Sequence, residues 1–301
     1  MRRICLLAVY LTAVFGGGAL LAPWLYWLAQ WGAAHWMALA GLAGNPFARF
    51  VLRGILGLAV VLLWPLLRAC GMFSARDIGL AKGGRPLGNL LAGFVIGFGS
   101  LAGAAGMAIV CYGRTVRLSH SGPEMVLLLL GATVTAAVVA AIEELIFRGA
   151  LFGILRKTWP WPAALAVSSA VYASVHFLQK AVPLASIDWL SGIRVLPELF
   201  RVPLDGLAPA FFTLLLAGAI LALVYQRTGT LFMSIGIHAG WIFWLAAYRL
   251  VTREAPGATR AIWGSDKLID GWLPFFVLAL VLMGVWRGWR PAAGASSGKP
   301  S

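Results

Sequence analysis

An all-α, polytopic transmembrane helical bundle of about eight spans is the fold that the sequence predicts, and three observations predict it. Of the 301 residues, 61% are hydrophobic and only 11% are charged, against about 25% charged in an ordinary soluble domain. Mean hydropathy is +0.87. The apolar residues also gather into runs of about 20, the length of helix that crosses a bilayer, and most of the charge lies in the segments between them.

The net charge of +14 would point to a polyanion in a soluble protein. Here the basic residues flank apolar runs, where they act as topology and interface anchors, and no nucleic-acid partner is expected. Cys5, Cys70 and Cys111 lack CxxC spacing, so neither a disulfide framework nor a thiolate metal site is implied. No small-residue cleavage site follows the first apolar run, and Met1–Leu28 reads as a retained helix and not a signal peptide.

In chain order, the first span runs from about Ile4 to Leu28, and Trp24, Trp27, Trp31 and Trp36 form an interfacial aromatic group beyond its middle. Residues 37–47 are apolar but short and broken by Gly and Pro, so they read as re-entrant or interfacial. A second span covers about Phe50–Leu67. The segment Cys70–Leu87, with Arg76, Asp77, Lys82 and Arg85, reads as a loop. A third span, about Gly88–Tyr112, is rich in the small residues that let membrane helices approach closely. Gly113–Glu124 reads as a loop with a solvated His120. Met125–Leu155 is the fourth span, and Trp159-Pro160-Trp161-Pro162 ends it and starts a fifth that reaches about Gln179. Lys180–Gly206 reads as a loop whose charges (Asp188, Arg194, Glu198, Arg201, Asp205) are solvated. Spans six to eight cover about Leu207–Gln226, Leu231–Leu250 and Trp272–Trp286, and the basic tail Arg287–Ser301 reads as disordered. Residues 1–124 are thus N-terminal helices and loops, 125–250 the chemical core, and 251–301 the last span and tail.

Eight spans put both termini on one side. Taken as the cytoplasm of a bacterial inner membrane, that side collects Arg2, Arg3, Arg68, Arg156, Lys157, Arg227 and the basic tail, as the positive-inside rule asks.

The fourth span is unusual. Glu143, Glu144 and Arg148 sit inside its apolar run, and a charge near the middle of a spanning helix costs about 2.5–3.5 kcal/mol on insertion scales, so such groups face protein or water and often mark function. Glu144 and Arg148 are four residues apart and share a helix face, whereas Glu143 is turned about 100° from Glu144. One carboxylate is thus available to the arginine while its neighbour points elsewhere. Of the four histidines, His176 lies in the fifth span with Tyr172 one turn before it, and His238 lies in the seventh. Counting about 1.5 Å per residue, the glutamates, His176 and His238 lie about 18, 24 and 12 Å from the cytoplasmic ends of their spans. Depths this similar allow one intramembrane chamber.

Two carboxylates and two imidazoles in such a chamber offer three chemistries. A carboxylate with a histidine can activate water while the other histidine steadies an oxyanion. Two His and a Glu can hold zinc with an open position. The same groups can relay protons or bind a cation in transport, although no internal repeat or paired broken helices accompany them. The structural alternative is a buried Glu144–Arg148 pair with two histidines that pack helices together.

The ordered set Glu143-Glu144-x-x-x-Arg148, Tyr172-x-x-x-His176, Tyr225-Gln226-Arg227-Thr228-Gly229-Thr230-Leu231 and His238-Ala239-Gly240-Trp241 resembles the CPBP family of intramembrane endopeptidases, which are related to the CAAX prenyl proteases and also called Abi proteins. The resemblance covers about Met125–Trp244, with Asp77-Ile78-Gly79-Leu80 as a weaker upstream echo. It implies a helical membrane protein that cleaves membrane-embedded or lipidated substrates within or beside the bilayer. By position it implies Glu143 as the water-activating base, Glu144 as its partner and Arg148 fixing that carboxylate. His176 would work with Glu143 on the water, and His238 would stabilise the oxyanion. The family has been described both as metalloproteases and as metal-independent glutamic proteases. No cofactor is expected here, because Arg148 competes with a cation for Glu144; a divalent ion such as zinc would call on Glu143, Glu144, His176 and His238. Two positions depart from the family pattern. Tyr172 stands where Phe is usual and adds a hydroxyl, and Ile242 stands where an Asn usually follows the last histidine by one turn. Ile242 also leaves open a non-catalytic relative that binds or chaperones hydrophobic segments.

Overall fold

The computed structural model describes residues 1–81, 85–178, 182, 184, 186–201 and 207–288. Lys82, Gln179, Lys180, Asp205 and the tail beyond Gly288 lie outside the described residues. Helices occupy the positions of all eight expected spans: α1 Arg2–His35, α2 Phe47–Ala69, α3 Pro86–Val110, α4 Gly122–Leu155, α5 Trp161–Val175, α6 Ser191–Leu199, α7 Leu207–Thr228, α8 Phe232–Val251 and α9 Trp272–Gly288, with the short α6 as an addition. Among the described residues, α1, α2, α3, α4 and α7 are long and apolar enough to cross a membrane, and α5 and α9 are shorter apolar helices. The chain is an all-α integral membrane bundle.

Local chemistry sets the helix starts. Pro86, Pro123 and Pro162 stand in the first turns of α3, α4 and α5, where a missing N–H costs nothing. Outward faces stay apolar: Val126, Leu127, Leu130, Val134 and Val138 of α4 are exposed, as lipid contact requires. α1 packs on α2, and α8 packs chiefly on α3 and then on α4. The α3–α8 contact is a close approach along both helices. A Cβ on Gly97 would lie 2.1 Å from the Ile237 carbonyl oxygen, and one on Gly236 would lie 2.1 Å from that of Leu90. Backbone meets backbone here, as small residues permit, and this fixes the height of α8 and hence of His238.

Several expectations are corrected. α5 ends at Val175 and not near Gln179, because its last turn tightens to i→i−3 bonds (His176 to Ala173, Phe177 to Ser174). His176 therefore caps a short helix. The expected loop 180–206 contains α6, whose Ser191, Gly192, Val195 and Leu199 form one buried face. Its charges do pair at the surface, Asp188 with Arg194 and Glu198 with Arg201. The loop after α3 is also more than a loop: β1 (Arg114–Val116) pairs antiparallel with β2 (Thr252–Glu254). Arg114 is buried, 2.8 Å from Asp266 and 4.8 Å over the Tyr248 ring. His120 is a surface histidine, as expected, with Glu124 at 2.8 Å. Trp24 and Trp27 cluster with Trp189, separately from Trp31 and Trp36. Residues 37–43 form only a short 3-10 turn and a four-residue helix at the end of α1.

Candidate active site

Two adjacent glutamates on one helix can do different work only if something distinguishes their surroundings, and the helix itself does so. Leu145–Phe152 of α4 is a π-helix, a wider turn that is rare and concentrated at functional sites. It begins directly after Glu144, and two contacts of Arg148 brace it. Arg148 reaches both the Glu144 carboxylate (NH1 to Oε1, 2.8 Å) and the Gly218 carbonyl of α7 (NH2, 3.3 Å). Its guanidinium lies 4.4 Å from the centre of the Tyr172 ring. Fully buried Glu144 is thus charge-paired, as a carboxylate in such a place must be.

Glu144 Oε1 also accepts from His238 Nδ1 at 2.9 Å. That bond directs the other ring nitrogen, Nε2, toward the Tyr172 hydroxyl at 3.3 Å and toward Glu143 Oε2 at 3.8 Å. His176 has the same design with a different anchor. Its Nδ1 donates to the Tyr172 carbonyl at 2.7 Å, which leaves Nε2 pointing at Glu143 Oε2, 3.7 Å away. Glu143 Oε2 is buried and has no hydrogen-bond partner. Two oriented imidazoles therefore converge on one oxygen, at separations too long for direct hydrogen bonds and suited to one bridging small molecule. Glu143 and His176 keep about a quarter of their side-chain surface open (24% and 28%), while His238 keeps 5% and Glu144 none. The open pair faces the approach and the closed pair supports it.

All six residues named from sequence are brought together: Glu143, Glu144, Arg148, Tyr172, His176 and His238. Ile242 is not among the polar groups. It packs with Ala136, Ala140 and Ala239 between α8 and α4. In the four-residue set for a metal, Glu144 Oε1 is shared by two donors and each histidine has Nδ1 engaged, as ligating histidines commonly do. Among the described residues, no group of three or more His, Cys, Asp or Glu side chains is arranged to hold a metal ion.

The outer motifs are structural supports. Gly229 takes a positive φ of 67° in the α7–α8 turn, and Leu231 N–H, just beyond, donates to the Gly79 carbonyl at 2.8 Å. Gly79 itself has φ 78°, and a Cβ there would meet the Tyr225 ring at 2.5 Å. Asp77-Ile78-Gly79-Leu80 thus docks the α2–α3 loop on the base of α8. Tyr225 and Gln226 receive Arg156, at 3.2 and 3.1 Å. Sequence reasoning missed the π-helix, the Gly218 carbonyl and the Ser100–Trp241 bond (3.0 Å) that ties α3 to α8 one turn from His238. Only Trp241, within the His238-Ala239-Gly240-Trp241 run, left a signal.

No curated protein and no solved structure matches the chain. The stretch from Met125 to Trp244, which carries every residue of the cluster, matches the family model described as type II CAAX prenyl endopeptidase Rce1-like, residues 125–244, and so bears out the resemblance of this core to the CAAX-protease family.

Proposed function

We propose that the chain is an intramembrane endopeptidase that hydrolyses a peptide bond in a membrane-embedded or lipidated substrate by a glutamate- and histidine-activated water. The observation that carries this reading is the convergence of His176 Nε2 and His238 Nε2 on the unpartnered Glu143 Oε2. Glu143 takes a proton from a water held between it and His176, and the water oxygen forms a bond to the scissile carbonyl carbon. The developing oxyanion is met by His238 Nε2–H and by the Tyr172 hydroxyl, donors of the kind that contribute about 10²–10³ in rate each. Glu143 then returns the proton to the leaving amine as the C–N bond breaks. Glu144 does for His238 what a buried carboxylate does for a catalytic imidazole: it holds the ring orientation and stabilises its cationic form.

The metal-independent form is preferred because Arg148 already satisfies the charge of Glu144. We place the chain in a bacterial inner membrane with both termini cytoplasmic, on the positive-inside argument.

The test is cleavage of a quenched peptide library by purified protein in nanodiscs. Loss of activity in Glu143→Gln, His176→Ala and His238→Ala, with melting temperatures retained and activity insensitive to chelator, is the expected result. Chelator-sensitive cleavage would overturn the metal-free mechanism. A second reading, a binding protein without turnover, is favoured by the apolar packing of Ile242. It predicts retained peptide binding with no cleavage of any bound segment.

A further inference from the structure

At the end of the bundle where α1 begins, the turns that follow α2 and α4 line an open cavity of about 690 Å³. Four of the side chains around it are cationic (Arg2, Arg3, Arg68 and Lys157) and none is acidic. The cavity has defined walls. Arg3 donates through Nε to the Cys70 carbonyl at 3.3 Å and through NH1 to the Lys157 carbonyl at 3.4 Å, which joins the start of α1 to both turns. Asp77, close enough to Lys157 to feel its charge, spends Oδ2 on Ser74 and Phe73 and does not line the cavity. Four gathered cations without a lining anion repel one another, and a bound anion relieves this.

The surface beside the cavity says which anion. The Arg68 guanidinium lies 4.6 Å over the Trp64 ring, and Trp64 is exposed. Val60 and Leu56, four and eight residues before it on the same helix face, are exposed as well. An apolar track therefore runs from the mouth of the cavity down the spanning part of α2. Phe73, also exposed, lines the cavity. A small soluble anion would use only the cations, whereas a phospholipid uses both features.

We propose that this cavity binds the phosphate headgroup of an anionic phospholipid, with one acyl chain laid along Leu56, Val60 and Trp64. Basic pockets between spanning helices are suited to such headgroups, and each cation near the surface strengthens binding about fivefold. The site lies apart from Glu143 and holds whether or not the chain is a protease.

The experiment is native mass spectrometry of the full-length protein in detergent, titrated with phosphatidylglycerol or phosphatidylcholine of the same chains. One phosphatidylglycerol is expected to be retained at least about tenfold more strongly than phosphatidylcholine. Arg2→Gln with Arg68→Gln should weaken it about 25-fold, and Lys157→Gln alone about fivefold. Arg117→Gln, at the other end of the bundle, should leave it unchanged, and thermal melts report that each variant is folded. Equal retention of the two lipids would overturn the proposal, as would unchanged binding in folded Lys157→Gln. Displacement of the lipid by millimolar glycerol 3-phosphate would overturn it too, by showing a site for free phosphate.

Discussion

His238 Nδ1 and Arg148 NH1 meet on the same oxygen, Glu144 Oε1, at 2.9 and 2.8 Å. One buried carboxylate thereby fixes a ring on α8 and a guanidinium on the π-helix of α4, and it turns the far side of that ring, Nε2, toward its neighbour Glu143. The two glutamates look alike in sequence and differ in surroundings: Glu144 is wholly buried with two partners, and Glu143 faces the open side.

The two should separate experimentally. Glu144→Ala leaves Arg148 buried without its counter-ion, which costs about 3–5 kcal/mol, and lowers the melting temperature with the activity. Glu143→Gln removes a carboxylate whose buried oxygen has no hydrogen-bond partner. It should melt like the wild type yet lose cleavage. Thermal unfolding in detergent, set beside the peptide assay, decides; a strongly destabilised Glu143→Gln would reverse the assignment.

Tyr172 and Ile242 form a linked test. Tyr172→Phe removes the hydroxyl 3.3 Å from His238 Nε2 and should slow cleavage by about 10²–10³ with little change in KM. Ile242 lies among Ala136, Ala140 and Ala239, so Ile242→Asn alone should change the rate little. In the Tyr172→Phe background an amide one turn beyond His238 should recover part of the loss. Additive rates in the double variant would mean that the two positions do not share a substrate atom.

The close approach of α3 and α8 predicts that chemistry depends on glycines that bear no reactive group themselves. Gly97→Ala forces a Cβ within 2.1 Å of a backbone oxygen, and overpacking of this kind typically costs about 1–3 kcal/mol. It should also displace His238 and lower kcat. Gly99→Ala, on the same helix with nothing within 4 Å, is the matched control and should behave as wild type in both measurements.

The Asp77 carboxyl is held below the ordinary carboxylate range, chiefly by the Ser74 N–H and hydroxyl, with a smaller part from Phe73 N–H. A folded-state pKa below the unfolded one contributes stability that is present above about pH 4 and lost as pH falls through the folded value. Wild type and Asp77→Ala should therefore differ by a constant amount near neutral pH and converge in acid, as read by melts across pH. A gap that widened on acidification would contradict this sign.

The sequence by itself determined that the chain is a helical membrane protein, because transfer of a run such as Met125–Leu155 into a bilayer depends on that run's own composition. It also marked Glu143, Glu144 and Arg148, since charge inside such a run is costly wherever the helix packs, and the i,i+4 spacing of Glu144 and Arg148 follows from helix geometry alone. What only the tertiary structure decided is which groups meet. Glu144 and His238 are 94 residues apart in the chain, and their contact depends on the height at which the glycines of α3 and α8 seat one helix on the other. The end of α5 at His176, the π-helix after Glu144 and the pairing of Arg114 with Asp266 likewise answer to packing around them. Hydropathy measures how each segment meets lipid, and it carries no term for how one segment meets another.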